Sequence, residues 1–167
     1  FSHQKIDANL SDSSSINSFK TDGFHRTDGE LAKRKNAERE MYGGNIKWKE
    51  KKWSIGFTGV YYKYNHLLTP NSQPYNIFRT RNRADNYNAS VDYKIKIRNV
   101  QLCGEYAKSA DGGFATVNHA RIHANSRMSF SLVQRHYTPE YSSDFSNAFG
   151  ENGINQNERG VFIGADL

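Results

Sequence analysis

One cysteine, Cys103, stands in the whole chain, and that scarcity excludes an internal disulfide and a cysteine-ligated metal cluster. Its expected role is a small inward side chain. Prolines number three, and two of them, Pro70 and Pro74, share the segment LLTPNSQPYN, where missing donors and a fixed φ break any ladder. Long apolar runs are absent too, so no transmembrane helix is expected. A membrane is not excluded by this, because strands that cross one carry a much weaker signal than a helix does. Nor is there an excess of acid: Lys and Arg outnumber Asp and Glu by 23 to 17. The surplus is dispersed along strands and loops, which speaks against direct nucleic-acid binding by this segment.

What the chain does have is aromatic residues, 10 Tyr, 10 Phe and 2 Trp, a usage that suits strands and interfacial belts. It also has sustained alternation. From Asn86 to Tyr106 the odd positions Tyr87, Ala89, Val91, Tyr93, Ile95 and Ile97 oppose the even positions Asn86, Asn88, Ser90, Asp92, Lys94 and Lys96. After Arg98-Asn99 the phase reverses, with Val100, Leu102, Gly104 and Tyr106 opposite Gln101, Cys103, Glu105 and Ala107. Each arm is close to the roughly 9 to 11 residues of a tilted membrane strand and longer than the usual 5 to 6 of a soluble one.

Other segments repeat the pattern. Phe1 to Leu10 reads as the tail of a strand, with Ile6, Ala8 and Leu10 against Lys5, Asp7 and Asn9. Residues 11–40 have no sustained period and read as a long exposed loop, in which a helix near Glu30 to Glu40 could not dock firmly. Tyr42, Gly44, Ile46 and Trp48 form one face, the turn Glu50-Lys51-Lys52 follows, and Trp53, Ile55, Phe57, Gly59 and Tyr61 resume it. A second long loop spans 65–85, including the alternating Arg79, Arg81 and Arg83, read as a solvated face. Residues 114–124 form a strand whose two facings have equal claims. Met128, Phe130 and Leu132 then alternate with Ser129, Ser131, Val133 and Arg135, and Gln134 falls on the apolar side. A third long loop covers 139–156, and Val161, Ile163, Ala165 and Leu167 close the chain.

Eight strands follow. Connections two, four and six are tight turns, whereas one, three and seven are long and polar, with only the fifth short, so the long loops fall at one end of the sheet, as in outer-membrane barrels with short periplasmic turns and long outer loops. A soluble sandwich has Greek-key connections at both ends. The fold class is therefore all-β, an antiparallel up-and-down meander of about eight long strands, either a transmembrane β-barrel or a segment of a larger one. The single region 1–167 begins at Phe1 without a signal segment and is expected to be truncated at both ends.

The phrases FSHQKIDANL, GFHRTDGELAKR, LTPNSQPYN and AFGENGINQNERG, in this order between alternating strands, resemble the barrel region of Bacteroidetes outer-membrane proteins that carry an N-terminal helix-hairpin-helix domain. The resemblance spans nearly the whole chain and implies residence in the outer membrane of a Gram-negative bacterium. Nothing here has the glycine-containing hairpin between two short helices, so the helix-hairpin-helix part is absent. The resemblance brings no catalytic or binding residues with it.

Chemistry was sought in the histidines, acids and glycines. His119 and His123 lie about 13 Å apart on an extended strand and cannot share a metal ion. His25, Arg26 and Asp28 sit in a loop with no nucleophile placed beside them. Gly112-Gly113 precedes a strand and cradles no anion at a helix start. No enzyme, metal or cofactor is expected. In the barrel reading Lys5, Asp7, Asp92, Lys94, Gln101, Glu105 and Arg135 face a charge-compensated lumen. Tyr42, Trp48, Trp53, Tyr61, Tyr87 and Tyr106 form interfacial girdles, and lipid lies against Ile46, Ile55, Phe57, Val91, Ile95, Val100 and Leu102. Partners would be the bilayer and other envelope proteins reached through the long loops. The competing reading is a soluble β-sandwich or jelly-roll module that binds glycan or protein through aromatic loops.

Overall fold

The structure, a computed structural model, describes residues 1–11, 15–69, 83–145, 148–151 and 155–166. Pro70, Pro74, Arg79, Arg81 and Leu167 lie outside the described residues. Long alternating runs become long strands: β4 Ala37–Lys49, β5 Trp53–Leu68, β6 Arg83–Ile97, β7 Val100–Ser109, β8 Phe114–His123, β9 Ser129–Tyr137 and β10 Glu158–Asp166. Shorter elements precede them: β1 Ser2–Ile6, β2 Ala8–Leu10, β3 Ser15–Phe19 and a single helical turn, α1 Asp28–Leu31, capped by Thr27.

The architecture is an up-and-down antiparallel sheet. Its main path of eight strands runs β1-β4-β5-β6-β7-β8-β9-β10, with β2 and β3 off the path. Among the described residues β1 and β10 are the path's two ends. β3 pairs antiparallel with β2 and parallel with β5 at Ser15 and Ile16.

Pairing fixes the two faces. Val91, Tyr106, Thr116 and His136 share one row, and Ile95, Leu102, Ala120 and Leu132 share another on the same side. Asp92, Glu105, Val117 and Arg135 make a row on the opposite side, as do Lys94, Cys103, His119 and Val133. The facing of β8 is thereby decided: Phe114, Ala120 and Ile122 join the apolar face, while Ala115, Val117, His119 and Arg121 join the polar one.

Three expectations are corrected. Residues 11–40 are not a bare loop, since β3, α1 and the start of β4 lie within them; strands so short show no period in sequence. Phe1 to Leu10 is not one strand either. Asp7 interrupts it, because its carboxylate turns aside to accept the Lys35 N–H at 2.7 Å and to meet His25 Nε2 at 2.6 Å. The loop expected over 65–85 is shorter at both ends, with β5 running to Leu68 and β6 starting at Arg83.

Backbone contacts divide the molecule into two compact units, residues 1–43 with 60–87, and residues 44–59 with 88–167. In the first, Ala8, Ile16 and Ala37 pack with Tyr62 and Tyr64, and Ile6, Leu10 and Met41 lie against them. In the second, Ala107, Ala115 and Tyr137 pack with Tyr141 from the connection after β9.

Candidate functional site

Along β5 and around Arg135, burial is inverted relative to a water-soluble protein, while Lys47, Lys94, Lys96 and Glu105 on the polar face stay exposed. Along β5 the even positions from Ser54 to Tyr64 are the more covered and the odd ones, with Trp53, Phe57 and Tyr61, the more exposed. On the apolar face Ile46 is 79% exposed, Ile163 74% and Trp48 66%, whereas Arg135 on the polar face is 5% exposed. The sheltered polar face is the candidate site.

In the second unit it carries a crossing of charges. Lys47 Nζ reaches Asp92 Oδ2 at 2.8 Å, with β5 standing between their strands in the sheet order. Gly56 makes the pair feasible: a Cβ there would stand 2.1 Å from Asp92 Oδ1. Arg135 is held by Glu158, by Glu151 at 2.6 Å, and by the Phe149 ring, whose centroid lies 5.2 Å from its Cζ. Here too a glycine gives room, for a Cβ on Gly160 would meet the Arg135 guanidinium at 2.9 Å. A buried arginine needs such partners, since desolvation of an unpaired charge costs several kcal/mol. Arg121 bonds Asp166 Oδ2 and Ser129 Oγ, both at 3.1 Å, while its buried Nε has no acceptor.

The connection between β9 and β10 folds back over this face. Asn88 Nδ2 donates to the Ser142 carbonyl at 2.9 Å, the Ser142 N–H to Ser109 Oγ at 3.3 Å, and Tyr137 Oη to the Phe149 carbonyl at 2.7 Å. Burial among these groups raises the Tyr141 hydroxyl above its ordinary range. A cavity of about 70 Å³ remains beneath the connection, lined chiefly by Ala107, Ala115, Val117, Tyr137 and Tyr141. That is well below the 300 to 1,000 Å³ of ordinary ligand pockets.

In the first unit the same face is covered by apolar packing. Tyr62 and Tyr64 are almost wholly buried, and Asn86 Nδ2 donates to Tyr62 Oη at 2.7 Å. Asn36 ties the segment down by exchanging two 2.9 Å hydrogen bonds with the backbone of Ala8. The Lys35 amide, then the His25 ring, hold the Asp7 carboxyl below the usual carboxylate range.

Of the residues expected to face a lumen, Asp92, Lys94, Gln101, Glu105 and Arg135 share the polar face. Lys5 does not: it pairs in register with Glu38, two strand repeats from Tyr42, and so stands on the side of the apolar row. Asp7 lies between β1 and β2 rather than on a strand face. Asp92 pairs with Lys47, and Arg135 with Glu158 and Glu151. Alternation from Ile46 could have nominated Lys47. Glu151 and Glu158 carry no comparable signal, as the loop that brings Glu151 back has no period.

All six girdle residues are exposed on the apolar side: Tyr42, Trp48, Trp53, Tyr61, Tyr87 and Tyr106. Tyr42 and Tyr61 have ring centroids 6.5 Å apart, and Tyr106 stacks on Phe114 at 5.9 Å. Gln134, the residue that broke the pattern, is not a bare amide on that face. Its Oε1 accepts from Asn118 Nδ2 at 2.8 Å, and Asn118 Oδ1 accepts from Tyr93 Oη at 2.9 Å. Gly104 leaves space for this ladder, since a Cβ there would stand 2.5 Å from Asn118 Oδ1.

Among the described residues no three His, Cys, Asp or Glu side chains group to hold a metal ion. Cys103 Sγ lies 3.8 Å from His119 Nδ1, a two-member contact only. No helix among the described residues is long and apolar enough to cross a membrane, which says nothing of strands. Comparisons with known proteins find no matching family model, no matching curated protein and no matching solved structure.

Proposed function

We propose that this chain is a stretch of outer-membrane β-barrel wall, with its apolar face against lipid and its polar face toward an aqueous lumen, serving passage, scaffolding or surface presentation. The observation that carries the reading is the inverted burial: Ile46, Trp48, Val161 and Ile163 are each more than 60% exposed while Arg135 and Asn86 are buried. In water such a continuous apolar surface would drive aggregation. In lipid it is satisfied, and interstrand pairing satisfies the backbone.

Dimensions agree with this reading. Trp53 and Tyr61 are eight residues apart on β5, about 27 Å of strand, which a tilt near 40° shortens to about 21 Å, comparable to the outer apolar band of about 25 Å. The tight turns after β4, β6 and β8 would face the periplasm, and the long connections the exterior. Kinship with the Bacteroidetes helix-hairpin-helix barrel proteins belongs to this proposal and rests on the order of four loop phrases.

The test compares SDS-gel mobility, with and without heating, of the full-length protein folded in detergent micelles. A heat-modifiable band is expected. Val91→Arg, on the apolar face, should lower stability in lipid by about 2 to 4 kcal/mol, and Ser90→Arg on the polar face by much less. Equal losses, or a protein that folds as a monomer in plain buffer, would sink the reading in favour of a soluble sandwich module.

A further inference from the structure

The polar face differs along its length. Toward the long connections its cations are matched by acids, as in Lys47 with Asp92 and Arg135 with Glu151 and Glu158. Toward the tight turns Arg121 is matched by Asp166, but the lysines are not matched. Lys49 stands two residues beyond Lys47 on β4, and Lys94 and Lys96 stand two and four beyond Asp92 on β6. The contact between Lys47 and Asp92 places all three lysines on one face by strand alternation. All three are exposed, and none has an ion-pair partner among the described residues. Lys96 pairs with Gln101, which pairs with Arg121, so two further donors continue the row. The nearby carboxylate of Asp166 is engaged by Arg121 and Ser129. Glu50, in the adjoining turn, accepts from the Trp48 indole at 3.3 Å, on the apolar side.

We propose that the turn end of the polar face is an anion-binding site, in which Lys49, Lys94 and Lys96, with Gln101 and Arg121 beside them, hold a small solute carrying two or more negative groups. Lys94 and Lys96 project about 7 Å apart along one strand, and Lys49 emerges two strands away, about 10 Å from Lys94. Lysine side chains bridge such distances, as Lys47 does in reaching Asp92 across β5, so the three ammonium groups can converge on one solute carrying two or more phosphate, sulfate or carboxylate groups. Uncompensated lysine charge of one sign on a lumen wall also concentrates counter-ions. The inference rests on the reading of the polar face as a lumen wall, and gives that lumen a preference for anions.

The experiment measures binding of a fluorescent trisulfonated pyrene to the full-length, detergent-folded protein by anisotropy at low ionic strength, with pyrophosphate as competitor. Folding of every sample is checked by the heat-modifiable band. The expected result is saturable binding displaced by pyrophosphate, weakened at least tenfold in the triple variant Lys49→Glu, Lys94→Glu, Lys96→Glu. Binding should be unchanged in Lys33→Glu with Arg34→Glu, which alters charge in the N-terminal segment. No binding by the folded protein, equal binding by the triple variant, or an equal loss in the distant variant would overturn the site. A protein that binds the dye through the three lysines yet stays monomeric without detergent would keep the anion site and overturn the lumen reading alone.

Discussion

Each unit has a long connection that folds back on its own strands, and the two differ in how much apolar packing and how much charge fastens them. In the first unit the β2–β3 segment is held by apolar contact: Ala8 and Ile16 against Tyr62 and Tyr64. In the second, the β9–β10 connection is held by Arg135 between Glu151 and Glu158 and by backbone packed against Gly113. The difference teaches what each can tolerate. Apolar packing fails when volume is removed. A buried arginine fails when either sign is left alone, because the partner then sits desolvated and unpaired.

The largest effect is expected from Tyr62→Ala. Removing a fully buried ring costs about 3 to 5 kcal/mol, and limited proteolysis should then cut within residues 8–36 first. Proteolysis confined to the β9–β10 connection would contradict the assignment of Tyr62 to the first anchor. Arg135→Met is expected to cost about 3 kcal/mol, since the Glu158 side chain, 8% exposed, would lose its oppositely charged partner. The double variant with Glu158→Gln should recover most of that loss in thermal melting. If it recovers nothing, the pair is not what fastens the second connection. A smaller loss, about 1 to 3 kcal/mol, is expected for Gly113→Ala, whose Cβ would stand 2.1 Å from the Tyr141 amide nitrogen. Its mark is increased cleavage after β9 with the first unit unaffected.

The contrast also explains what the sequence could reveal. Where β4 to β7 run through uninterrupted alternation, the two faces were legible residue by residue, and Val91 and Asp92 fall on opposite sides as their chemistry dictates. The rule that apolar residues point away from the polar face held only while that face was open. Ile6 and Ala37 are in register and point, with Tyr62 and Tyr64, toward the side that is polar further along β5, because there the β2–β3 segment gives them apolar cover. Lys5 was misplaced for that reason: its neighbours' hydrophobicity named a face, but the returning chain had changed what the face meets. Ile16 packs with Tyr62 and Tyr64, and Phe19 lies against Tyr64, from within a polar stretch, so no period announced this cover. Anchoring of the second connection depends on Arg135 and on glycines whose missing side chains matter only once the chain folds back.

The smallest expected effect distinguishes the anchors by pH. Asp7 accepts from the Lys35 amide and contacts His25, and these groups lower its folded-state pKa below the ordinary value of 3.8. The unfolded carboxyl takes up its proton first as pH falls, so the unfolded state gains protons while the folded one resists them. The contribution of Asp7 is therefore complete above the unfolded value, declines as pH drops below it, and is gone once pH passes below the folded value. Hydrogen exchange at the Lys35 amide should accelerate, relative to its intrinsic rate, over that acidic window and stay level above it. Asp7→Asn keeps a side-chain acceptor for the amide and abolishes the titration, so its exchange should show no such step. A step that survives in Asp7→Asn would assign the acid sensitivity of the first anchor to another carboxylate, with Asp22, itself lowered by Lys20 and the Phe24 amide, the next to test.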